Sequence, residues 1–208
     1  MGQKIIFATG NAGKMREIRE ILADTDMEIL SMKEAGIEAD IVEDGTTFEE
    51  NAVIKAKAVA KLLAEDTEQR HNDAIVLADD SGLEIDYLNR EPGIYSARYM
   101  GEDTPYSVKS RNLIGRLEGV PDEERTARFV CAIAAVWPKG EVITTRGVIE
   151  GRIDYEEKGN NGFGYDPIFY VPEFGCTTAQ LTEDQKNKIS HRGKALEEMK
   201  EELRKRIP

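Results

Sequence analysis

The chain alternates short apolar runs with longer segments in which apolar residues recur every three or four positions, a pattern typical of α/β proteins. The run KIIFATG, residues 4–10, has the continuous hydrophobicity of a buried strand in a parallel sheet. Residues 11–24 follow with an apolar stripe that includes Ile18 and Leu22, and Asn11 is a predicted helix N-cap. The chain therefore opens with a predicted strand, a short loop and an amphipathic helix.

Five further segments complete the predicted secondary structure. One helix is predicted over 47–65, with a capping-box pattern at Thr47 and Glu50, and another over 104–119. A strand, polar turn and second strand are predicted over 74–88, and a long hairpin over 125–153 with its turn near 138–140. A last helix is predicted over 190–207, with Ser190 as its N-cap. This order of elements predicts the α/β class, with a mixed sheet flanked by helices.

Composition narrows the possible functions. With 208 residues, 40% of them apolar, the chain is expected to form one domain with a substantial core, either undivided or split into two lobes. No apolar run reaches membrane-spanning length, and the N-terminus lacks a signal-peptide pattern. Cys131 and Cys176 are far apart without Cys-x-x-Cys spacing, which predicts reduced thiols in a cytoplasmic protein. A formal charge of -12 argues against a nucleic-acid polymer as partner but allows one small anion held by a local basic cluster.

The loop after the first strand, FATGNAGKMREI, resembles half of a phosphate-binding loop. Gly10 and Gly13 would let a phosphate approach the backbone at the positive end of the following helix, and Lys14 could reach a phosphoryl oxygen. The Walker pattern, however, has four residues between its glycines and a Ser or Thr after its lysine, where this chain has Met15. An ordinary strand-to-helix turn is the alternative.

Two acidic segments supply candidate metal ligands. Glu43 and Asp44 precede a glycine, and Asp79 and Asp80 follow the apolar run 75–78. Sites in sheet proteins lie beyond the carboxyl ends of strands, and neighbouring side chains in extended chain face opposite ways, so one of the two aspartates should face the site. Mg²⁺ needs few carboxylates because water and substrate phosphates complete its shell. A plain β-turn is the alternative.

Three other segments carry candidate ligand-binding groups. Lys55 has no carboxylate three or four positions away on its predicted helix, which points to a partner elsewhere, and a solvated lysine is the alternative that lysines on a helix surface generally favour. The loop GNNGFGYDPIF, residues 159–169, offers aromatic rings that could stack on a nucleobase, although they could instead fill the core. His191 and Arg192 fall in the first turn of the last helix, where cations oppose the dipole, so a ligand could offset their charge or the helix could tolerate it.

Taken together, these segments resemble the inosine triphosphate pyrophosphatase family. The resemblance rests on motifs that occur in the family's order over nearly the whole chain: TGNAGKMREI, EDGTTFEENAVIKA, ADDSGL, PGIYSARYMGED, GFGYDPIF and QLTEDQKNKISHRGKAL. One departure is Gln180, where the family often has Glu, and it lies outside the motif cores.

The resemblance implies a role for each motif residue. Asp80 would be catalytic and, with Glu43, would hold Mg²⁺. The implied substrate-binding residues are Thr9, Gly10, Asn11, Ala12, Gly13 and Lys14 for the triphosphate, Lys55 and Arg98 for phosphates, Ser81 beside the nucleotide, Phe163, Gly164, Tyr165 and Asp166 for base and ribose, and Lys186, His191 and Arg192 for the purine. Asp79 would be a supporting carboxylate.

The resemblance also implies fold, assembly and reaction. The expected fold is an elongated, two-lobed single domain over residues 1–208 with the active site in a central cleft, and the expected assembly is a homodimer. The expected reaction cleaves ITP, dITP and XTP between the α and β phosphates, giving a monophosphate and pyrophosphate. A nucleotide-binding regulator without turnover and a P-loop-type kinase are the alternatives, and the paired carboxylates and the loop spacing respectively disfavour them.

Overall fold

The computed structural model describes residues 2–66 and 70–206, and these contain eight strands and five α-helices. The strands are β1 (Lys4–Phe7), β2 (Glu28–Ser31), β3 (Ile75–Ile85), β4 (Glu91–Pro92), β5 (Thr126–Val136), β6 (Val142–Ile153), β7 (Phe169–Val171) and β8 (Cys176–Thr177). The helices are α1 (Ala12–Ile21), α2 (Phe48–Glu65), α3 (Tyr106–Arg116), α4 (Glu183–Ile189) and α5 (His191–Arg206). The predicted end of the last helix at Ile207 lies outside the described residues.

The strands form one mixed sheet in the order β2-β1-β3-β5-β6-β7-β8, with β4 beside β3. β1 is parallel to β2 and β3, whereas β4 is antiparallel to β3 and β7 is antiparallel to β6 and β8. The predicted α/β class with a mixed sheet and flanking helices is confirmed. No helix within the described ranges is long and apolar enough to cross a membrane.

The described chain divides into two compact units, each with its own hydrophobic core. Unit 1 comprises residues 2–66, 70–80, 131–147 and 192–206, and unit 2 comprises 81–130 and 148–191. The core of unit 1 includes Phe7, Ile18, Leu77, Ile133 and Leu196, and that of unit 2 includes Leu83, Leu113, Phe129, Ile153 and Phe169, all of them buried. The single-domain organisation stays a prediction.

Several local expectations are confirmed. The Asn11 side chain accepts a hydrogen bond from the backbone N–H of Lys14, and Thr47 does the same for Glu50. β5 and β6 are neighbours joined by residues 137–141, as the hairpin required. α5 begins at His191, directly after Ser190.

Two expectations are wrong, and one element was missed. Residues 79–82 form no turn, because β3 continues without interruption from Ile75 to Ile85. The strand continues through Asp79 and Asp80, because cationic and amide side chains bond their carboxylates within it. α3 ends at Arg116 rather than at Gly119, and the short helix α4 was not predicted.

Candidate active site

The phosphate-loop candidate lies between β1 and α1 in unit 1. The Thr9 hydroxyl accepts a hydrogen bond from the Asn11 N–H at 3.2 Å, and the Asn11 side chain caps the helix at Lys14. A Cβ placed on Gly10 would meet nothing within 4 Å, so the protein's own packing does not require glycine there. The exposed backbone of this loop is therefore open to a ligand at the N-terminus of α1.

Lys14 is ion-paired with Asp79. Its Nζ lies 3.0 Å from Asp79 Oδ2 and 3.1 Å from Oδ1. Burial alone would raise the pKa of Asp79, but the charges of Lys14, Arg192 and Lys55 outweigh it and hold that pKa well below its usual range. Asp79 therefore stays ionised and fixes the lysine of the loop.

Arg192 joins the same cluster from the first turn of α5. Its guanidinium donates to Asp79 Oδ2 at 3.2 Å and 3.3 Å, and to Glu17 of α1. Only 1% of Arg192 is exposed. Burial works against its charge, but Asp79 and Glu17 outweigh that penalty and raise its pKa. The contacts of Arg192 thus give it a positioning role toward Asp79, while its predicted role at the purine stays a prediction.

Asp80 contacts a different helix from Asp79. The Asn51 side chain of α2 donates to Asp80 Oδ2 at 3.1 Å, and Lys55 Nζ lies 3.7 Å from Oδ1. Burial raises the pKa of Asp80 despite the opposing effect of Lys55. The two aspartates therefore face opposite ways from the strand, as expected of extended chain.

Lys55 bridges the two carboxylates predicted to hold the metal. Its Nζ donates to Glu43 Oε2 at 3.1 Å as well as approaching Asp80. Burial works against the charge of Lys55, but Asp79, Asp80 and Glu43 raise its pKa. The expected partner outside its own helix is confirmed.

The donor chemistry fits Mg²⁺ with an incomplete protein shell. Within residues 2–66 and 70–206, no group of three or more His, Cys, Asp or Glu side chains is arranged to hold a metal. Glu43 and Asp80 supply two carboxylates that share one ammonium. Mg²⁺ uses one or two carboxylates when water and phosphate oxygens complete the octahedron, so the pair suffices.

The glycine-rich loop in unit 2 is organised by Asp166. Its Oδ2 accepts from the Phe163 N–H at 2.8 Å and from Lys186 Nζ at 2.6 Å, while Oδ1 accepts from the Thr178 hydroxyl at 2.8 Å. Gly162 has φ +73°, and a Cβ there would lie 2.2 Å from Asp166 Oδ2. The buried Asp166 thus shapes the loop and positions Lys186, whose ammonium lies 4.9 Å over the Phe163 ring.

Four other predicted residues of unit 2 lie elsewhere in the unit. The His191 ring stacks on the buried Phe129 with centroids 4.9 Å apart. The Arg98 guanidinium lies 5.4 Å over the Tyr95 ring. Ser81 is half-buried in β3 directly after Asp80. Tyr165 is 3% exposed, so little of it is accessible to a ligand in this structure.

Sequence reasoning missed Glu17 and Asn51. Both are buried, and each lies on the apolar stripe of its helix, next to Ile18 and Ala52 respectively. A polar residue within an apolar stripe was the available signal, because such a residue needs a buried partner.

The mixed sheet, the strand–loop–helix opening and the lysine–carboxylate clusters define an α/β protein whose polar groups suit a phosphorylated ligand. Comparison with known proteins narrows this class. The chain belongs to the Ham1 family, whose model matches residues 5–202, and the resemblance drawn from the motifs is confirmed.

Relatives and solved structures match over nearly the full length. The chain is 52% identical over 202 residues to the dITP/XTP pyrophosphatase of Clostridium perfringens, covering 97% of this chain and 98% of the relative. It is 46% identical to the dITP/XTP pyrophosphatase of Bacillus subtilis, covering 95% of each chain. The Staphylococcus aureus Ham1 protein superposes with a TM-score of 0.83 at 40% identity, covering 97% of this chain and 98% of that one.

Proposed function

We propose that the protein hydrolyses deaminated purine nucleoside triphosphates, namely ITP, dITP and XTP, to the monophosphate and pyrophosphate. The observation that carries this proposal is the cluster in which Lys55 contacts Glu43 and Asp80 while Lys14 contacts Asp79. Alternating lysines and carboxylates suit a metal-bound polyphosphate, because each charge then has an opposite neighbour. The relatives named dITP/XTP pyrophosphatase support dITP and XTP as substrates.

The triphosphate would be held by short-range contacts to backbone and cations. The loop from Thr9 to Lys14, with Asn11 as the N-cap of α1, offers backbone N–H groups at a helix N-terminus. Lys14, Lys55 and Arg98 would supply the positive charge for the phosphates. Gly10, Ala12 and Gly13 keep side-chain bulk away from the phosphates.

Glu43 and Asp80 would hold Mg²⁺. When bound, the ion would neutralise negative charge on the phosphoryl oxygens. The need for a divalent metal, and for Mg²⁺ in particular, belongs to this proposal.

Asp80 would also orient the attacking water and accept its proton. Burial raises the pKa of Asp80, which moves this carboxylate toward the range of a general base. The water oxygen would form a bond to the α phosphorus as the bond to the bridging oxygen breaks, and pyrophosphate would leave with that oxygen. Asp79, which stays ionised, would keep Lys14 in place instead.

The base would be recognised by donors. Lys186 and Arg192 can donate hydrogen bonds but cannot accept them, and His191 can supply one more donor. A 6-oxo purine accepts these bonds, whereas the 6-amino group of adenine would leave donors unsatisfied, at about 1–3 kcal/mol each. Phe163 and Gly164 would line the base, Tyr165 and Asp166 would shape the loop around it, and Ser81 would lie beside the nucleotide.

Three expectations, on domain organisation, assembly and location, accompany this proposal. We propose one functional domain over residues 1–208, a homodimer and action in the cytoplasm without nucleic-acid or membrane partners. Cys131 and Cys176 are free thiols, which supports a reducing compartment.

A pyrophosphate-release assay tests the function. The protein with Mg²⁺ is expected to release pyrophosphate from ITP, dITP and XTP and much less from ATP. A pure nucleotide-binding regulator would release nothing, and a kinase would require an acceptor. Absence of pyrophosphate release under saturating Mg²⁺ would reject the proposal.

A further inference from the structure

We propose that Lys109 and Tyr165 are positioning residues that hold segment 93–101 of unit 2 and thereby keep Arg98 in place for phosphate. The inference rests on the proposed function, in which Arg98 binds a phosphate of the nucleotide. It assigns a role to Lys109, a residue outside the motifs, and a new role to Tyr165.

Lys109 is a buried cation of α3 whose ammonium bonds a backbone carbonyl. None of its surface is exposed, and its Nζ donates to the Ala97 carbonyl at 2.6 Å. The same ammonium lies 4.9 Å over the Tyr106 ring. Burial of an ammonium is costly unless it is hydrogen-bonded. The hydrogen bond to segment 93–101 and the contact with the Tyr106 ring offset that cost for Lys109.

Tyr165 reaches the preceding carbonyl of the same segment. Its hydroxyl donates to the Ser96 carbonyl at 2.8 Å, although Tyr165 belongs to the glycine-rich loop. Its ring meets Tyr106 edge-on, with centroids 5.1 Å apart. Tyr106 therefore contacts both Lys109 and Tyr165, and the two donors take the consecutive carbonyls immediately before Arg98.

The rest of the segment is fixed on its other side. The Ser96 hydroxyl accepts from the Leu83 N–H of β3 at 2.8 Å and donates to the Gly93 carbonyl at 2.6 Å. Beyond Arg98, Met100 has φ +58°, a backbone conformation that L residues rarely adopt and that the surrounding contacts must maintain. Loss of the hydrogen bond from Lys109 or from Tyr165 should therefore loosen this segment before it affects the core of unit 2.

The test combines a mutant cycle with hydrogen exchange. Tyr165→Phe removes only the hydroxyl, and Lys109→Met removes the ammonium while keeping an unbranched apolar side chain. Each variant is made in the wild-type chain and with Arg98→Ala, and Arg125→Lys is the control. Arg125 is a buried cation of unit 2 that also bonds backbone carbonyls, those of Leu117, Ile153 and Asp154.

We expect each of the two variants to raise KM for dITP roughly 5- to 10-fold with kcat changed less than about twofold. Neither should have a further effect in the Arg98→Ala background, because the residue that they position is gone. The amides of Arg98 and Gly101, which donate to Tyr95 and Arg98 carbonyls, should exchange faster. Arg125→Lys should leave these amides unchanged and should combine additively with Arg98→Ala.

Two results would overturn the inference. Unchanged exchange at Arg98 and Gly101 in both variants would show that Lys109 and Tyr165 do not hold the segment. Effects that simply add to those of Arg98→Ala would show that they do not act through Arg98. A wild-type protein inactive on dITP and XTP would instead reject the proposed function, and the exchange measurements would still decide whether the segment is held.

Discussion

At the scale of single residues, two adjacent aspartates with opposite pKa shifts distinguish this site. Asp79 is buried against Lys14 and Arg192, whose charges lower its pKa, whereas burial raises the pKa of Asp80. The alternation of a β-strand produces the difference, because it directs neighbouring side chains to different partners. Pairs of carboxylates whose environments separate their pKa values are typical of catalytic sites.

Asp80→Asn should abolish turnover and stabilise the metal-free protein. The raised pKa of Asp80 means that its favourable contribution is present below the unfolded pKa and is lost as pH rises through the folded pKa. Ionised Asp80 therefore destabilises the fold at neutral pH, and its replacement should raise Tm at pH 7. Thermal melts in metal-free buffer and a pyrophosphate assay measure the two effects.

The pH dependence provides the control for this prediction. The difference in Tm should shrink as the pH falls toward the ordinary pKa of an aspartate, about 4, where wild-type Asp80 becomes protonated in both states. Near wild-type turnover of Asp80→Asn under saturating Mg²⁺ would remove Asp80 from the catalytic role and leave Glu43 or Asp79 as the candidate.

Arg192→Ala should strongly destabilise unit 1. The change leaves Glu17 and Asp79 buried without the guanidinium that both contact, at an expected cost of about 3–5 kcal/mol in unfolding free energy. Arg204→Ala is the matched control, because Arg204 lies on the same helix in a half-exposed pair with Glu201. Urea unfolding of both variants measures the difference, and similar losses would contradict the buried role of Arg192.

At the scale of elements, the glycine-rich loop depends on one backbone conformation. Gly162→Ala should lower activity and stability, because φ is +73° and the new Cβ would lie 2.2 Å from Asp166 Oδ2 and 3.0 Å from Lys186 Nζ. The variant should cost about 1–3 kcal/mol and raise KM for dITP, since the Asp166–Lys186 pair must shift.

Gly119→Ala separates backbone strain from the displaced ion pair. Gly119 has φ +77°, but a Cβ there would meet nothing within 4 Å. It should therefore lose stability without an increase in KM. Equal KM values for the two variants would mean that Asp166 and Lys186 do not form part of the substrate site.

At the scale of the whole molecule, the products identify the bond that breaks. We expect the monophosphate and pyrophosphate, with no diphosphate, because the lysine–carboxylate cluster suits a polyphosphate leaving group. Hydrolysis of dITP in H₂¹⁸O should place the label in the monophosphate, since the water attacks the α phosphorus. Ion-exchange separation and mass spectrometry measure this, and label in orthophosphate alongside a diphosphate would contradict attack at that position.

The sequence by itself determined the elements whose causes are local. Apolar periodicity and capping residues predicted α1, α2, α5 and the β5–β6 hairpin, because a helix stripe, an N-cap and a tight connection depend on neighbours in the chain. The motifs also identified the family. A local rule failed for residues 79–82, where turn-forming composition was overridden by partners on other elements.

Tertiary structure decided the contacts that organise the site. Asp79 remains in a strand because Lys14 and Arg192, 65 and 113 residues away in sequence, satisfy its charge. The hydrogen bonds from Lys109 to the Ala97 carbonyl and from Lys186 to Asp166 likewise join residues that are separated in the sequence. Sequence spacing contains no distance between such residues, because folding alone brings distant charges together, and burial then sets the pKa of each.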